Sequence, residues 1–257
     1  MNFNEQVILI TGASTGIGKE LAKQLSDLNC SLVLLARRSD LLGELKTQLI
    51  SSKANINIYK CDVADPDEVK KVFTEIREHY NKIDIAILNA GVGSKSSAED
   101  YDYENAKRTF DVNVLGIVNC LENLLPDFIK RKDGMIVGVS SLADSRGWKG
   151  SGFYCASKAA ATILIENLRA ELQSFNVKVI TVKPGFVETP MTAKNKFKMP
   201  FLMSAEKAAK IIISGIKSEK RIIQFPLPTV LGAKLMRIVP DSLFEYISRK
   251  NPSKVKD

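Results

Sequence analysis

Tyr154 and Lys158 bracket the run YCASK, and a serine, Ser141, stands upstream of the tyrosine. On a helix, a separation of four residues puts both side chains on one face, so an ammonium can sit near a phenol. A neighbouring cation favours the phenolate, which predicts a Tyr154 pKa drawn down from its usual ~10 toward working pH. A phenol tuned in this way can give or take a proton. The pentad alone is weak, because Tyr and Lys are common and the spacing recurs by chance. Its meaning depends on what else the chain places beside it.

The second feature is TGASTGIG, from Thr11 to Gly18, directly after the apolar run Val7-Ile8-Leu9-Ile10. Its glycines are Gly12, Gly16 and Gly18, with Ser14, Thr15 and Ile17 between them. Glycines between a buried strand and a helix permit a tight turn and close backbone approach, and the helix start offers unpaired N–H groups to a phosphate. The spacing is GxxxGxG rather than the commoner GxGxxG, and no GK[ST] follows, so a nucleoside triphosphatase loop is not indicated. Alone, the turn is either structural or a pyrophosphate site. The next strand ends Ala36-Arg37-Arg38. A protein choosing NAD places a carboxylate about 20 residues beyond the glycines, whereas arginine there suits the 2′-phosphate of NADP. Arg37 and Arg38 otherwise serve only to solvate a helix start, where cations oppose the dipole.

The elements that must position these groups are legible as an alternation. Apolar runs at 7–10, 31–36, 56–60, 83–89, 135–140 and 177–182 alternate with stretches of helical length at 18–28, 40–50 and 66–80. Strands apolar on both faces suit a parallel sheet covered by helices on each side, and right-handed crossovers make it doubly wound. The expected fold is therefore α/β and Rossmann-type, one domain over residues 1–257, with ligands beyond the carboxyl ends of the strands.

In this order and spacing the chain resembles the short-chain dehydrogenase/reductase family over residues 5 to about 190. The resemblance rests on TGASTGIG, Asp62-Val63 after the third strand, Asn89-Ala90-Gly91 after the fourth, Asn113, Ser140-Ser141, Tyr154 with Lys158, and PGFVET from Pro184 to Thr189. Ser141 precedes Tyr154 by thirteen residues, as in the family pattern, and is preferred to Ser140.

The resemblance implies roles for these positions. Tyr154 is the general acid/base, Ser141 orients the substrate oxygen, Lys158 lowers the Tyr154 pKa and holds the nicotinamide ribose, and Asn113 helps carry a water-linked proton relay. Asp62 and Val63 correspond to adenine contacts and Asn89, Ala90 and Gly91 to the wall behind the adenosine ribose. Pro184, Gly185, Val187 and Thr189 belong around the nicotinamide. Ala36 replaces the acid of NAD-dependent members and Arg37 stands where NADP-dependent members carry a base, so NADP(H) is the expected cofactor. A homodimer or homotetramer through the helices carrying Asn113 and Tyr154 is the family's suggestion.

Composition narrows the alternatives. The chain has 257 residues, four scattered cysteines and one histidine, His79, so neither a disulfide framework nor a metal site finds ligands. The amino end shows no basic stretch followed by a long apolar one, and a cytoplasmic protein is expected. The formal charge of +8 is uneven: Lys194 to Asp257 holds fourteen Lys and Arg against five Asp and Glu, leaving the first 193 residues near −1. That segment has no recognised nucleic-acid motif, so no nucleic-acid partner is expected.

The substrate is read from less. Residues 190–203 occupy the place of the family's substrate loop, and Phe197, Met199, Phe201, Leu202 and Met203 either line an apolar pocket or pack in the core. An apolar ketone, aldehyde or alcohol is the expected substrate class. Trp148 either walls the cleft or pins its loop, and Cys155 is expected to pack away from the site. PGFVETPMT resembles the ketoacyl-carrier-protein reductases, but those close soon after the last helix, whereas this chain runs on past Arg221. The basic and partly apolar extension 226–257 is either a lid on the domain or a weak contact with an anionic membrane. Two other functions fit the motifs: a cofactor-binding regulator without turnover, and an isomerase or epimerase working through transient oxidation.

Overall fold

A computed structural model of the chain describes residues 2–195 and 197–250. Of the cations expected in the tail, Lys254 and Lys256 and the side chains of Arg249 and Lys250 lie outside the described residues. The six expected strands form as β1 (Val7–Thr11), β2 (Ser31–Ala36), β3 (Asn55–Lys60), β4 (Ile85–Leu88), β5 (Met135–Val139) and β6 (Lys178–Pro184). A two-stranded ribbon, β7 (Val187–Glu188) with β8 (Met203–Ser204), brackets the expected substrate loop. A strand not anticipated, β9 (Ile222–Phe225), completes a seven-stranded sheet of order β3-β2-β1-β4-β5-β6-β9. Every adjacent pair in it is parallel.

Successive strand residues point to opposite faces, so the all-apolar runs feed two cores at once. Ile8, Ile10, Leu32 and Leu34 pack on one face with Leu21 and Leu25 of α1 (Gly16–Leu25), Leu42 and Leu45 of α2 (Ser39–Gln48), and Ile212 and Ile216 of α7 (Ala205–Lys217). Leu9, Val33 and Leu35 pack on the other with Val69, Phe73 and Ile76 of α3 (Pro66–His79), Leu121 and Phe128 of α5 (Gly116–Arg131), and Ile165 and Leu168 of α6 (Gly152–Glu171). The doubly wound fold follows from that partition. Local chemistry sets the boundaries: Asp65 caps α3 by accepting from the N–H groups of Asp67 and Glu68 at 3.0 Å each, with Pro66 next in line.

Helix α4 (Tyr103–Phe110) runs through a π-helical turn, Asp111–Leu115, into α5. The joined run is long and apolar enough to cross a membrane by length and composition. Its Ile117, Cys120, Leu124 and Phe128 are nevertheless buried in the core, so the run packs on the domain by one face. Beyond β9, a cis Phe225–Pro226 bond leads into α8 (Leu227–Ile238), and α9 (Asp241–Lys250) follows.

Candidate active site

The parallel order brings the carboxyl ends of β1, β2, β3, β4, β5 and β6 to one edge, and each carries one of the motif segments. Tyr154 lies in the first turn of α6, and Lys158 is one turn further on. Ser141 caps a short 3-10 turn, Leu142–Ser145, that follows β5, its hydroxyl accepting from the Ala143 N–H at 3.1 Å. The same hydroxyl donates to the Pro184 carbonyl at 3.5 Å and stands near enough to the Tyr154 phenol to influence its titration. Tyr154, Ser141 and Lys158 thus converge as expected.

Their electrostatics correct one expectation. Burial pushes the Tyr154 phenol above its ordinary value, the Ser141 hydroxyl draws it back, and Cys155 and Asp144 add smaller upward pushes. The Lys158 ammonium does not offset this. It lies 5.9 Å from the phenol ring centroid and donates to the Val139 carbonyl at 3.1 Å. Burial draws Lys158 itself down to about 8. Desolvation acts on both members of the pair and favours the neutral form of each, so helix spacing alone does not yield a phenolate.

The two adjacent serines separate cleanly. Ser140 turns toward α6, donating to the Lys158 carbonyl at 2.9 Å and lying 2.6 Å from the Thr162 hydroxyl. Thr162 in turn donates to Asp144 Oδ2 at 2.7 Å, and the same oxygen pairs with Lys183 Nζ at 2.6 Å. This buried chain ties β6 to α6 directly behind Ser141. Asp144, Thr162 and Lys183 escaped the reading of the sequence. The only hints are a carboxylate just after Ser141 and a lysine just before Pro184.

Asn113 sits in the π-helical turn and is fully buried. Its side-chain oxygen accepts from the Val92 N–H at 2.8 Å, while its amide nitrogen donates to the Val92 carbonyl at 3.0 Å and to Ser157 Oγ at 3.0 Å. Ser157 donates onward to the Tyr154 carbonyl at 2.8 Å. Asn113 therefore clamps the segment after β4 to α6, and π-turns of this kind gather at functional sites.

Gly91 fits into the angle between these groups. A Cβ there would stand 3.2 Å from the Asn113 side-chain oxygen and 3.3 Å from Lys158 Nζ. At the glycine turn, Gly12 has φ +68°, and a Cβ on Gly18 would lie 2.4 Å from the Gly12 carbonyl oxygen. Asn89 donates to the Thr11 carbonyl at 3.0 Å, extending the β1–β4 pairing past the ends of the strands, while the Ala90 N–H donates to Thr11 Oγ1 at 3.0 Å. The loop after β6 closes from the other side: a Cβ on Gly16 would meet the Thr189 methyl at 3.0 Å. Ile17 packs partly buried on the core, Val187 is buried, and the Gly185 N–H donates to the Phe225 carbonyl at 2.7 Å.

The arginines divide their work differently from the expectation centred on Arg37. Arg37 pairs with Asp62 at 3.6 Å, both partly exposed. Arg38 is the one that reaches the glycine turn, donating to Thr15 Oγ1 at 2.9 Å and lying 3.4 Å from Ser14 Oγ. Val63 is buried, with its side chain against Gly116. The start of α1 has no side-chain cap and no acidic residue in its first turn. Uncapped N–H groups, close-packed glycines and a guanidinium at the turn make a cradle whose chemistry fits a dinucleotide pyrophosphate.

A family model described as short chain dehydrogenase matches residues 6–199. The chain belongs to that family. A fatty acyl-CoA reductase of Acinetobacter baylyi is 33% identical over 225 residues, covering 86% of this chain and 76% of its own. Among solved structures, a short-chain dehydrogenase/reductase from Burkholderia phymatum in complex with NAD has a TM-score of 0.85 at 21% identity, covering 100% of this chain and 99% of that one. A short-chain dehydrogenase from Sphingobium yanoikuyae in complex with NADPH has a TM-score of 0.80 at 24% identity, covering 92% and 97%. Both establish the fold.

In this short-chain dehydrogenase the loop beyond Ser141 is held by the tail. Arg146 pairs with Asp241 at 3.1 Å, donates to the Val239 carbonyl at 3.2 Å and stacks 4.3 Å from the Phe244 ring. Trp148 meets the same ring edge-on at 5.5 Å. Between the two roles open for Trp148, its visible contact is with α9. Cys155 is buried, as expected of a packing residue.

Proposed function

We propose that this protein is an NADP(H)-dependent oxidoreductase that interconverts an apolar ketone or aldehyde and its alcohol. The observation that carries the reading is the convergence of Tyr154, Ser141 and Lys158 beside the glycine turn. A bound nicotinamide supplies or accepts the hydride. Tyr154 protonates the carbonyl oxygen during reduction or takes the alcohol proton during oxidation, and Ser141 holds that oxygen in line. A phenol kept neutral by burial carries the proton that reduction consumes. Lys158, held at the Val139 carbonyl in the free protein, would hold the nicotinamide ribose, and Asn113, which ties the 89–92 segment to α6, would help carry the proton relay.

The absence of a carboxylate at Ala36 and the pair Arg37 and Arg38 support a 2′-phosphate over a free 2′-hydroxyl. Exposed Phe197, Phe201 and Leu202 in the loop between β7 and β8, together with the acyl-CoA reductase relative, support an apolar substrate. A homodimer or homotetramer is supported by exposed Leu115 at the end of the π-helical turn, Val118 in the first turn of α5 and Ile163 on α6. A cytoplasmic setting agrees with four buried free thiols.

The test is a carbonyl and alcohol screen with NADPH and NADH, using Tyr154→Phe as the control. Turnover that disappears in Tyr154→Phe and has a higher kcat/KM with NADPH is expected. Tight cofactor binding without Tyr154-dependent turnover would overturn the catalytic reading, and equal efficiency with NADH would overturn the cofactor preference.

A further inference from the structure

Helix α8 presents an unusual outer face. Leu227, Leu231, Leu235 and Ile238 recur at helical spacing and are 69%, 58%, 56% and 77% exposed, while Val230 points inward and is buried. Four large apolar side chains in a continuous stripe on an exposed helix exceed the scattered apolar residues of an ordinary surface. Leu243 of α9 is also exposed, at 48%.

The charges on this helix all have one sign. Residues 227–238 contain Lys234 and Arg237 and no acid, and both cations are exposed. On α9, Asp241 pairs with Arg146 but is 89% exposed, and Glu245 is also exposed, so the acids next to this face lie on α9 and not on α8. The whole quarter from Lys194 onward carries an excess of nine positive charges. A second copy laid on this face would bring no acid from α8 to meet Lys234 and Arg237. An anionic lipid surface would meet the cations with phosphate and the leucines with acyl chains.

We propose that the outer face of α8 is a docking surface for anionic membrane lipid. The helix lies in the interface plane, with Leu227, Leu231, Leu235 and Ile238 entering the acyl boundary and Lys234 and Arg237 at headgroup level. Apolar insertion and electrostatic attraction are the two signals that stable attachment needs. The inner side of the α8–α9 pair is pinned to the loop beyond Ser141 through Arg146, Trp148 and Phe244, so docking would set that loop close to the lipid. This does not depend on the catalytic reading.

The experiment is sedimentation of the full chain with vesicles of phosphatidylcholine alone or mixed with phosphatidylglycerol, at low and high salt. The variants are Leu231→Ser/Leu235→Ser and Lys234→Glu/Arg237→Glu, with thermal melting as the folding control. Binding to the mixed vesicles is expected, weakened by salt and reduced at least tenfold by either double substitution, with melting unchanged because the positions are exposed. No binding to anionic vesicles would overturn the proposal. So would binding that survives the leucine substitutions, since the basic tail alone would then be responsible. If Leu231→Ser/Leu235→Ser instead dissociates an oligomer in light scattering and vesicles are ignored, the face joins copies of this chain and the lipid proposal fails.

Discussion

Replacing Lys158 with methionine should make the cofactor-free protein more stable at neutral pH while abolishing turnover. The ammonium is buried, and burial lowers its pKa from 10.5 to about 8. Folding therefore charges a penalty wherever the lysine is protonated. The sign follows from proton counts: below the folded value both states bind the proton and the full penalty stands, while between the two values the unfolded chain holds a proton that the folded one has released, so stability rises with pH. At 1.36 kcal/mol per unit the full penalty is about 3 kcal/mol. Against it, Lys158→Met leaves the Val139 carbonyl without the ammonium it accepts from at 3.1 Å. That loss costs about 1–2 kcal/mol, leaving a net gain near pH 7 of roughly 1–2 kcal/mol. The sharper signature is the pH dependence, because the lost hydrogen bond largely cancels from it. Between about pH 7 and about pH 9.5 the wild type should gain roughly 2 kcal/mol relative to the variant. Urea unfolding of both proteins at the two pH values and one protein concentration measures this directly. Parallel free energies across the range would show that Lys158 is not desolvated as argued.

Other consequences can be tested alongside. Lys183→Met leaves the Asp144 carboxylate buried with Thr162 as its remaining partner and should cost about 3–5 kcal/mol, with Asp144→Asn/Lys183→Met recovering much of that in a double-mutant cycle. Gly18→Ala would drive a Cβ to 2.4 Å from the Gly12 carbonyl oxygen, where only backbone can yield; a loss of at least about 2 kcal/mol and weakened cofactor binding by fluorescence titration are expected. Gly43→Ala, in α2 with open space around it, should instead stabilise by about 0.5–1 kcal/mol in the same unfolding assay. The thiols of Cys30 and Cys61, raised by burial to about 11 and about 12, should react slowly with a disulfide reagent near neutral pH until urea unfolds the chain.

The parallel sheet was legible because the inner strands are apolar on both faces and the helices that cover them on one, so periodicity alone assigns sides: Leu9 and Leu35 to one core, Ile8 and Leu34 to the other. Strand β9 was not legible, since Ile222–Phe225 is short and half exposed and becomes a strand only by pairing with β6. The tail was half legible. Composition shows apolar and basic residues interleaved after Pro226, but which leucines turn outward depends on how α8 lies against β9 and the turn after Ser141, and that is a tertiary fact.

The site shows where residue types stop being informative. Spacing correctly placed Tyr154 and Lys158 on one face, because i and i+4 geometry is local. It failed on the sign of the Tyr154 shift, because desolvation is set by everything that packs around α6 and not by the helix itself. Arg37 and Arg38 make the same point: adjacent and chemically identical, they diverge because Asp62 at the end of β3 captures one and the α1 turn captures the other. The buried chain from Lys183 through Asp144 and Thr162 to Ser140 holds the backbone at Lys158 and so bears on how far the ammonium is kept from the phenol. A phenol raised by burial moves back toward a working pKa only if something brings a cation closer or admits water. If the dinucleotide binds beside Gly91, as the proposed function has it, it would press on the space next to Lys158 Nζ, 3.3 Å from where a Gly91 Cβ would stand, and could move that ammonium. The pH–rate limb assigned to Tyr154 should therefore lie below the phenol pKa titrated spectroscopically in the free protein, and coincidence of the two values would rule out such coupling.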